Sequence, residues 1–411
     1  MGSKEVNNVA IVYHYFAHYR EPILRSLCSQ TKPEPQYTLI SGQNTNLPAL
    51  KLIDVKKASE PIEKKGLRWR LVRNHWIIGP LLWQSGLIKF AVSREFDAII
   101  YLGNPFFLST WVSCLLSVLT GKRVLMWTHG YRLKEKTGLR GFIKTLFYKL
   151  SHGLLLYGDI AREVAMSRGF SSERLYVIYN SLDSELQRDL REKIDKEDLR
   201  CVKSKLFGNK EWPIVICTSR LTRIRRLDLL LHATKMLKSR GVDINVLLVG
   251  DGPEKDALSL QAKEHGIDDR VVFYGACYNE EDLARMISAS HVSVAPGKVG
   301  LTCIHSLTYG TPVITHDNPD DQMPEWEAIV PGKTGALFRY NDIEDLADKV
   351  KEWTVDAPSR KAVREACYSV VDSFYNIKFQ KMIINEAVKG TPAHNLPRFN
   401  GPIVEMFKKS L

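Results

Sequence analysis

Short apolar runs alternate with amphipathic stretches along most of the chain, which is the pattern of strands separated by helices. In the first half we predict strands at VAIVYHYF, QYTLIS, DAIIYL, RVLMWTH, GLLLYG and LYVIYN. In the second half we predict strands at PIVICTSR, INVLLVG, RVVFYG, HVSVAP and TPVITH. Apolar strands linked by helices form parallel sheets covered on both faces. The pattern therefore predicts an α/β protein with two doubly wound, Rossmann-like domains.

A charged segment without an apolar run follows the sequence YNSLD and separates the two halves. We interpret this segment as a helical linker and predict domains at residues 1–190 and 191–371. The helical tail, residues 372–411, is predicted to pack back on the first domain. A chain of 411 residues is long enough for two cores. Two such sheets that face each other would bind a ligand at the carboxyl ends of their strands.

The net charge of +12 is concentrated in one region of the chain. Residues 60–149 contain 15 Lys and Arg against 5 Asp and Glu, and aromatic residues lie among them. Basic residues mixed with aromatic ones suit an anionic membrane surface, which we predict as a partner of this basic region. The alternative is a solvated face without a partner. No nucleic-acid-binding motif accompanies the charge, so we predict no nucleic acid partner.

Cysteine usage and the first residues indicate a reducing compartment. The 7 cysteines are scattered and never form a CxxC pair, which argues against disulfides and a structural zinc site. The beginning MGSKEV has no apolar segment typical of a signal peptide. Residues 98–120 lack charges, but the sequence GNP at 103–105 divides them into a predicted strand and helix rather than a membrane span. We therefore expect a cytoplasmic protein that is peripheral on the inner membrane face.

Four arginines follow the first strand of the second half, at positions 220, 223, 225 and 226. Guanidinium groups at the carboxyl end of a strand can bind phosphate in a bidentate manner. The alternative is a basic surface loop. The stretch PGKVGLTCIHSLTYGTPVI at 296–314 then predicts a glycine-containing loop and a helix beginning near Leu301. The amides of Gly300, Leu301 and Thr302 and the helix dipole would face the same anion, so both features fit a diphosphate.

A series of short motifs runs along the chain. They are FAHYREPI at 16–23, WTHG at 127–130, YNSLD at 179–183, Ser219-Arg220-Leu221 with Arg225, GDGPE at 250–254, Gly275, GTPVI at 310–314 and the segment from Glu327 to Gly335. Taken in order, these motifs resemble glycosyltransferase family 4, retaining enzymes of the two-domain GT-B fold. The resemblance covers nearly the whole chain. The resemblance implies the GT-B fold for both halves of the chain.

The chain departs from the family at its pair of glutamates, which contact the donor sugar and the nucleotide ribose. His305 stands at the second position, and Gly297, beside Lys298, stands near the first in a shortened loop. A histidine can still hydrogen-bond a ribose hydroxyl. Two hypotheses stay open, an altered donor sugar with an anionic or acetamido group near Lys298 and a non-catalytic site.

The resemblance implies transfer of a sugar from a nucleoside-diphosphate sugar to a hydroxyl of a glycan or polyprenyl-diphosphate-linked acceptor in cell-surface polysaccharide biosynthesis. The anomeric configuration would be retained, and neither a metal nor another cofactor is expected. The predicted catalytic residues are His129, Arg220 and Arg225. The predicted donor-binding residues are Ser219, Gly250, Gly252, Gly275, Lys298, Gly300, Leu301, Thr302 and His305. The predicted acceptor-binding residues are His14, His18, Tyr19 and Arg20.

Two other classes of function remain as alternatives. A nucleotide-sugar epimerase of the same fold would convert the donor without an acceptor. A transferase-like binding or scaffold protein would explain the missing glutamates. A phosphorylase dependent on pyridoxal phosphate is disfavoured because no lysine stands in a recognisable setting for that cofactor.

Overall fold

In the computed structural model, residues 6–43, 51–58, 60–64, 66–135 and 138–408 are described. The chain divides into two compact units. The first, the N-terminal unit, comprises the described residues up to 183 and residues 377–398, and the second, the C-terminal unit, comprises residues 184–376 and 399–408. Each unit contains one parallel sheet, which confirms the predicted α/β class and the pair of Rossmann-like sheets.

The N-terminal unit contains a seven-stranded parallel sheet in the order β3-β2-β1-β6-β7-β8-β9 and a separate antiparallel hairpin, β4-β5. Its strands and helices are β1 (Asn8–Val12), α1 (Glu21–Cys28), β2 (Gln36–Ser41), β3 (Trp69–Leu71), β4 (Arg73–Trp76), β5 (Leu82–Ser85), α2 (Leu87–Val92), β6 (Ala98–Leu102), α3 (Leu108–Leu119), β7 (Arg123–Thr128), α4 (Leu139–Lys149), β8 (Gly153–Leu156), α5 (Asp159–Ser167) and β9 (Leu175–Val177). The uncharged stretch at 98–120 forms strand β6 and helix α3, as predicted. None of the described helices is long and apolar enough to cross a bilayer.

The C-terminal unit contains a six-stranded parallel sheet in the order β12-β11-β10-β13-β14-β15. Its elements before residue 377 are α6 (Ser184–Lys193), α7 (Lys196–Leu206), β10 (Ile214–Thr218), α8 (Leu227–Ser239), β11 (Asn245–Val249), α9 (Lys255–Glu264), β12 (Val271–Gly275), α10 (Glu280–Ala289), β13 (Val292–Ala295), α11 (Leu301–Thr308), β14 (Val313–His316), β15 (Gly335–Phe338), α12 (Ile343–Thr354) and α13 (Arg360–Ser373). Strands β10 and β11 run in register from Ile214 opposite Asn245 to Thr218 opposite Val249. Ile214 and Ile216 of β10 and Leu247 and Val249 of β11 belong to a buried cluster that also includes residues of α10.

The boundary between the units differs from the predicted one after residue 190. Helices α6 and α7 belong to the C-terminal unit because their apolar side chains, including Leu190 and Val202, pack against its core. The sequence of this segment is as polar as that of a linker, but one face of each of its two helices packs against the core of the C-terminal unit.

The C-terminal tail is divided between the units, whereas a single packing site on the first domain was predicted. Helix α14 (Ile377–Lys389) lies in the N-terminal unit, where Asn385 accepts a hydrogen bond from Tyr37 at 2.8 Å. Helix α15 (Pro402–Lys408) lies in the C-terminal unit, where the rings of Phe407 and Trp326 are 5.5 Å apart. The last part of the tail therefore packs on the C-terminal unit through this aromatic contact.

Candidate functional site

The loops that follow β10, β11 and β12 meet at the carboxyl edge of the second sheet. The Gly250 amide donates to the Gly275 carbonyl at 2.8 Å, and the Ser219 amide donates to the Val249 carbonyl at 3.0 Å. A Cβ atom at Gly250 would lie 1.9 Å from the Ser219 carbonyl oxygen. The same atom at Gly252 would lie 2.3 Å from the Leu221 carbonyl oxygen. Glycine at 250 and 252 thus lets the turn approach the loop that carries Arg220.

The four arginines after β10 have different surroundings. Arg220 and Arg223 are exposed, and neither forms an ion pair with any residue in the described ranges. Arg226 pairs with Asp228 at 3.1 Å and donates to Asn341 at 2.7 Å. Arg225 donates to the backbone carbonyl of Lys298. Arg226 is therefore neutralised by Asp228, whereas the charge of Arg220 is unpaired among the described residues and Arg225 is held beside the 296–300 loop. The anion clamp itself stays a prediction.

The 296–300 loop packs directly on the turn at 223–225. The Gly297 amide donates to the Arg225 carbonyl at 3.0 Å, and a Cβ atom at Gly297 would lie only 2.2 Å from the Ile224 carbonyl oxygen. Lys298 pairs with Asp321 at 3.0 Å. The position nearest to the family's first glutamate therefore has no room for a side chain, and the neighbouring lysine already has a carboxylate partner.

Helix α11 begins at the same edge without a side-chain cap at Gly300. The hydroxyl of Thr302, in its first turn, donates to the carbonyl of Thr218 at the end of β10 at 2.8 Å. Gly300 and Leu301 are half-buried. A small depression at this edge is lined by Cys217, Ser219, Arg225, Ala295, Lys298, Val299 and Thr302. The structure thus brings together Ser219, Arg225, Lys298 and Thr302, four of the residues predicted to bind or activate the donor.

His305 lies one turn further along α11 and is bonded to a residue that the sequence interpretation did not select. Its Nε2 lies 2.8 Å from Oε1 of Glu280, the first residue of α10. The same oxygen accepts hydrogen bonds from Tyr309 at 2.7 Å and from Gln187 at 2.9 Å. A carboxylate therefore stands beside the position where the family has its second glutamate. Glu280 lies 25 residues from His305 in the chain, and no spacing motif connects them.

His129 follows strand β7 in the N-terminal unit, as predicted. Its ring centroid is 4.7 Å from that of Tyr157. Burial of the ring, together with the nearby positive charge of Arg20, lowers the pKa of His129 to about 4. The imidazole is therefore neutral at neutral pH, and it can exchange hydrogen bonds without carrying charge.

The predicted acceptor residues lie after β1 among aromatic side chains. The guanidinium of Arg20 donates to the hydroxyl of Tyr157, and its centre lies 5.3 Å from the ring centroid of Trp127. The ring centroids of His14 and Tyr15 are 3.8 Å apart, and burial lowers the pKa of His14 to about 4. His18 is exposed and Tyr19 is half-buried. Arg20 and His14 thus have packing roles, and their acceptor roles stay predictions.

The fold is that of GT-B glycosyltransferases. HepE of Anabaena in complex with UDP superimposes with a TM-score of 0.69 and 16% identity over 93% of this chain and 99% of that one. Sucrose-phosphate synthase of Thermosynechococcus elongatus superimposes with a TM-score of 0.64 and 16% identity over 92% of this chain and 98% of that one. At this level of identity the similarity establishes the fold, and it confirms the predicted GT-B architecture.

The sequence of the second half matches a known family. Residues 202–370 match the family described as Glycosyl transferases group 1, which confirms the resemblance inferred from the motifs of this half. Alpha-monoglucosyldiacylglycerol synthase of Streptococcus pneumoniae is 30% identical over 277 residues, which cover 66% of this chain and 60% of that protein. Alpha-D-kanosaminyltransferase of Streptomyces kanamyceticus is 26% identical over 175 residues, which cover 42% and 44% respectively. The match thus spans between 44% and 60% of the length of these relatives.

Proposed function

We propose that this chain is a retaining glycosyltransferase that moves a sugar from a nucleoside-diphosphate sugar to a hydroxyl of a glycan or lipid-linked acceptor. The observation that carries the proposal is the convergence of Ser219, Arg225, Lys298 and Thr302 beside the uncapped beginning of α11. An uncapped helix end and nearby guanidinium groups favour a phosphate group. Two relatives have names that support this proposal of a nucleotide-sugar donor and a lipid acceptor. They are alpha-monoglucosyldiacylglycerol synthase and a GDP-mannose-dependent phosphatidylinositol monomannoside mannosyltransferase.

The proposed chemistry depends on stabilising the departing diphosphate. Arg220 is exposed and unpaired among the described residues, so its guanidinium is available to the phosphates. Negative charge on the diphosphate grows as the bond to the sugar breaks, and fixed positive groups lower the barrier by stabilising that charge. In this proposal arginine and helix amides perform the neutralisation that a metal performs in other transferases. Within the described ranges no cluster of three His, Cys, Asp or Glu side chains could hold a metal ion.

The first test is binding of nucleotides. Wild-type protein should bind UDP or GDP in isothermal titration calorimetry, and the same nucleotide should raise its thermal unfolding temperature because it binds the native state. A panel of nucleotide sugars would then identify the donor by slow hydrolysis. Absence of binding to both nucleotides would support the scaffold alternative. Conversion of a bound donor without any acceptor would support the epimerase alternative.

A role in cell-surface polysaccharide biosynthesis at the inner membrane face is part of the proposal, and exposed apolar rows in the N-terminal unit support the membrane contact. Leu139, Phe142, Ile143 and Leu146 are 74%, 64%, 40% and 48% exposed on α4. Their spacing places them on one face of the helix. Helix α3 carries a similar row that ends at Leu119. Arg140 and Lys149 on α4 are exposed beside these residues. Apolar side chains flanked by cations match a bilayer with anionic lipids.

We predict that the double substitution Phe142→Glu and Leu146→Glu weakens binding to vesicles that contain anionic lipid by at least about tenfold. Two side chains that would insert into the bilayer are replaced by charges that the lipid repels. Co-sedimentation with vesicles measures the effect, and wild-type binding should also decrease as salt is added. The matched control is Leu260→Glu on α9 of the C-terminal unit, where Leu260 is 58% exposed. Equal binding by the double variant and wild type would remove the membrane contact from the proposal.

A further inference from the structure

Three helices of the C-terminal unit converge on one carboxylate oxygen. Glu280 begins α10, His305 lies on α11, Tyr309 directly follows α11, and Gln187 lies on α6. The three partners place their donor atoms 2.7–2.9 Å from Oε1 of Glu280. A side chain bonded from three directions has little rotational freedom. The carboxylate is therefore held in one orientation before any ligand arrives.

The other oxygen of Glu280 has no such partner. Among the residues that the structure describes, no side chain or amide donates to Oε2, and neither a lysine nor an arginine pairs with this carboxylate. The Glu280 side chain is 27% exposed, so this oxygen is accessible from outside the unit. Oε2 of Glu280 is therefore a hydrogen-bond acceptor without a donor among the described residues.

Glu280 is ionised at neutral pH. Burial alone would raise its pKa, but the hydrogen bonds from His305, Tyr309 and Gln187 favour the charged form and leave the pKa below its usual value. With the carboxylate charged, Nε2 of His305 carries the hydrogen and donates it. Oε2 can then accept hydrogen bonds from hydroxyl groups.

The carboxylate lies towards the edge of the sheet where the predicted donor residues meet. The loop after Gly275 ends at Asn279, whose side chain caps α10, and Glu280 follows directly. On α11, His305 lies three residues after Thr302, so the two side chains share a face of the helix. Thr302 contacts the carboxyl end of β10. Thr302 lines the depression, and His305, which contacts Glu280, lies one helical turn further along α11.

We propose that Glu280 binds the 2′,3′-diol of the nucleotide ribose through Oε2, with His305 as the residue that positions it. The inference rests on the proposed function, because it assumes a nucleotide at this edge. Vicinal hydroxyl groups donate readily to one carboxylate, and such charge-assisted hydrogen bonds are the stronger kind. In this arrangement the carboxylate comes from α10, while the histidine that stands at the family's glutamate position on α11 supports it.

The test is a thermodynamic cycle that combines substitution of the Glu280 side chain with removal of the ribose hydroxyls from the nucleotide. Affinities of wild type and Glu280→Gln are measured for UDP or GDP, whichever wild type binds, and for its 2′,3′-dideoxy form. Wild type should prefer the natural nucleotide by roughly tenfold to a hundredfold, the range expected of hydrogen bonds to a charged group. Glu280→Gln should lose most of that preference, while its affinity for the dideoxy form should stay near the wild-type value.

A second variant separates binding from folding. Tyr309→Phe removes one donor to Oε1 and keeps the carboxylate, so it should reduce the preference for the natural nucleotide by a smaller factor and leave the dideoxy affinity unchanged. Thermal unfolding shows whether either variant is folded. If wild type binds a nucleotide but Glu280→Gln keeps the full preference for the diol, the assignment of Glu280 is wrong and the proposed function stands. If wild type binds neither nucleotide, the proposed function itself fails.

Discussion

Arg220→Ala should lower the rate of sugar transfer, or of donor hydrolysis in the absence of acceptor, by about a hundredfold. Arg220 lies two residues after the end of β10 and is exposed, and it forms no ion pair among the described residues, so its charge is not already neutralised. Loss of one group that stabilises charge in a transition state costs on the order of 3 kcal/mol, which is about a factor of a hundred in rate. Single-turnover measurements with the identified donor would test the effect on the chemical step.

The matched control for this experiment is Arg223→Ala, which removes an equally exposed arginine three residues away. It should change the rate much less if position, and not total charge, matters. Arg225→Ala is a different case because Arg225 also donates to the Lys298 carbonyl, so we expect lower activity together with a lower unfolding temperature. Equal rates for Arg220→Ala and wild type would show that Arg220 does not bind the diphosphate.

Gly297→Ala should destabilise the C-terminal unit by about 1–3 kcal/mol, the range for overpacking a well-packed site. The added Cβ atom would lie 2.2 Å from the Ile224 carbonyl oxygen, which belongs to backbone and cannot rotate away. The turn at 223–225 would have to move, and the contact between Arg225 and Lys298 would move with it. Chemical denaturation measures the loss of stability, and donor hydrolysis should decrease in the same variant.

Gly208→Ala is the matched control, because no atom lies within 4 Å of the Cβ atom that it would add. It should leave stability within about 0.5 kcal/mol of the wild-type value, as is usual for surface substitutions. Gly297→Glu, which would place an acid where the family has one, should be at least as unstable as Gly297→Ala and should not increase activity. A stable and more active Gly297→Glu variant would contradict the account of the shortened loop.

Most of the sheet structure could be predicted from the sequence because buried strands are short, apolar and continuous. The strand predicted at QYTLIS is strand β2, with the same limits, and RVLMWTH differs from β7 only by its last residue. The strands that escaped prediction are the short ones, β3, β15 and the hairpin β4-β5. Three or four residues such as WRL or GALF carry too little pattern to distinguish a strand from a loop.

The candidate site was predictable where strand ends specify it, and unpredictable where partners come from distant parts of the chain. The position of Ser219, Arg225 and Thr302 at one edge follows from parallel topology. The pairing of Lys298 with Asp321 and the bond between Glu280 and His305 depend on how loops and helices pack. Neither contact leaves a periodic signal. Catalytic and ligand roles of all these residues remain predictions until they are tested.

The tail that passes from one unit to the other has a consequence for synthesis and for fragments. Helix α14 lies against α1 and beside strands β7, β8 and β9, and its Ile383 and Ile384 are buried there. Translation must therefore proceed beyond residue 398 before the N-terminal unit is complete, although most of that unit is synthesised first. A fragment that stops at 183 should expose apolar surface and aggregate, and adding a separate peptide of residues 377–398 should rescue it.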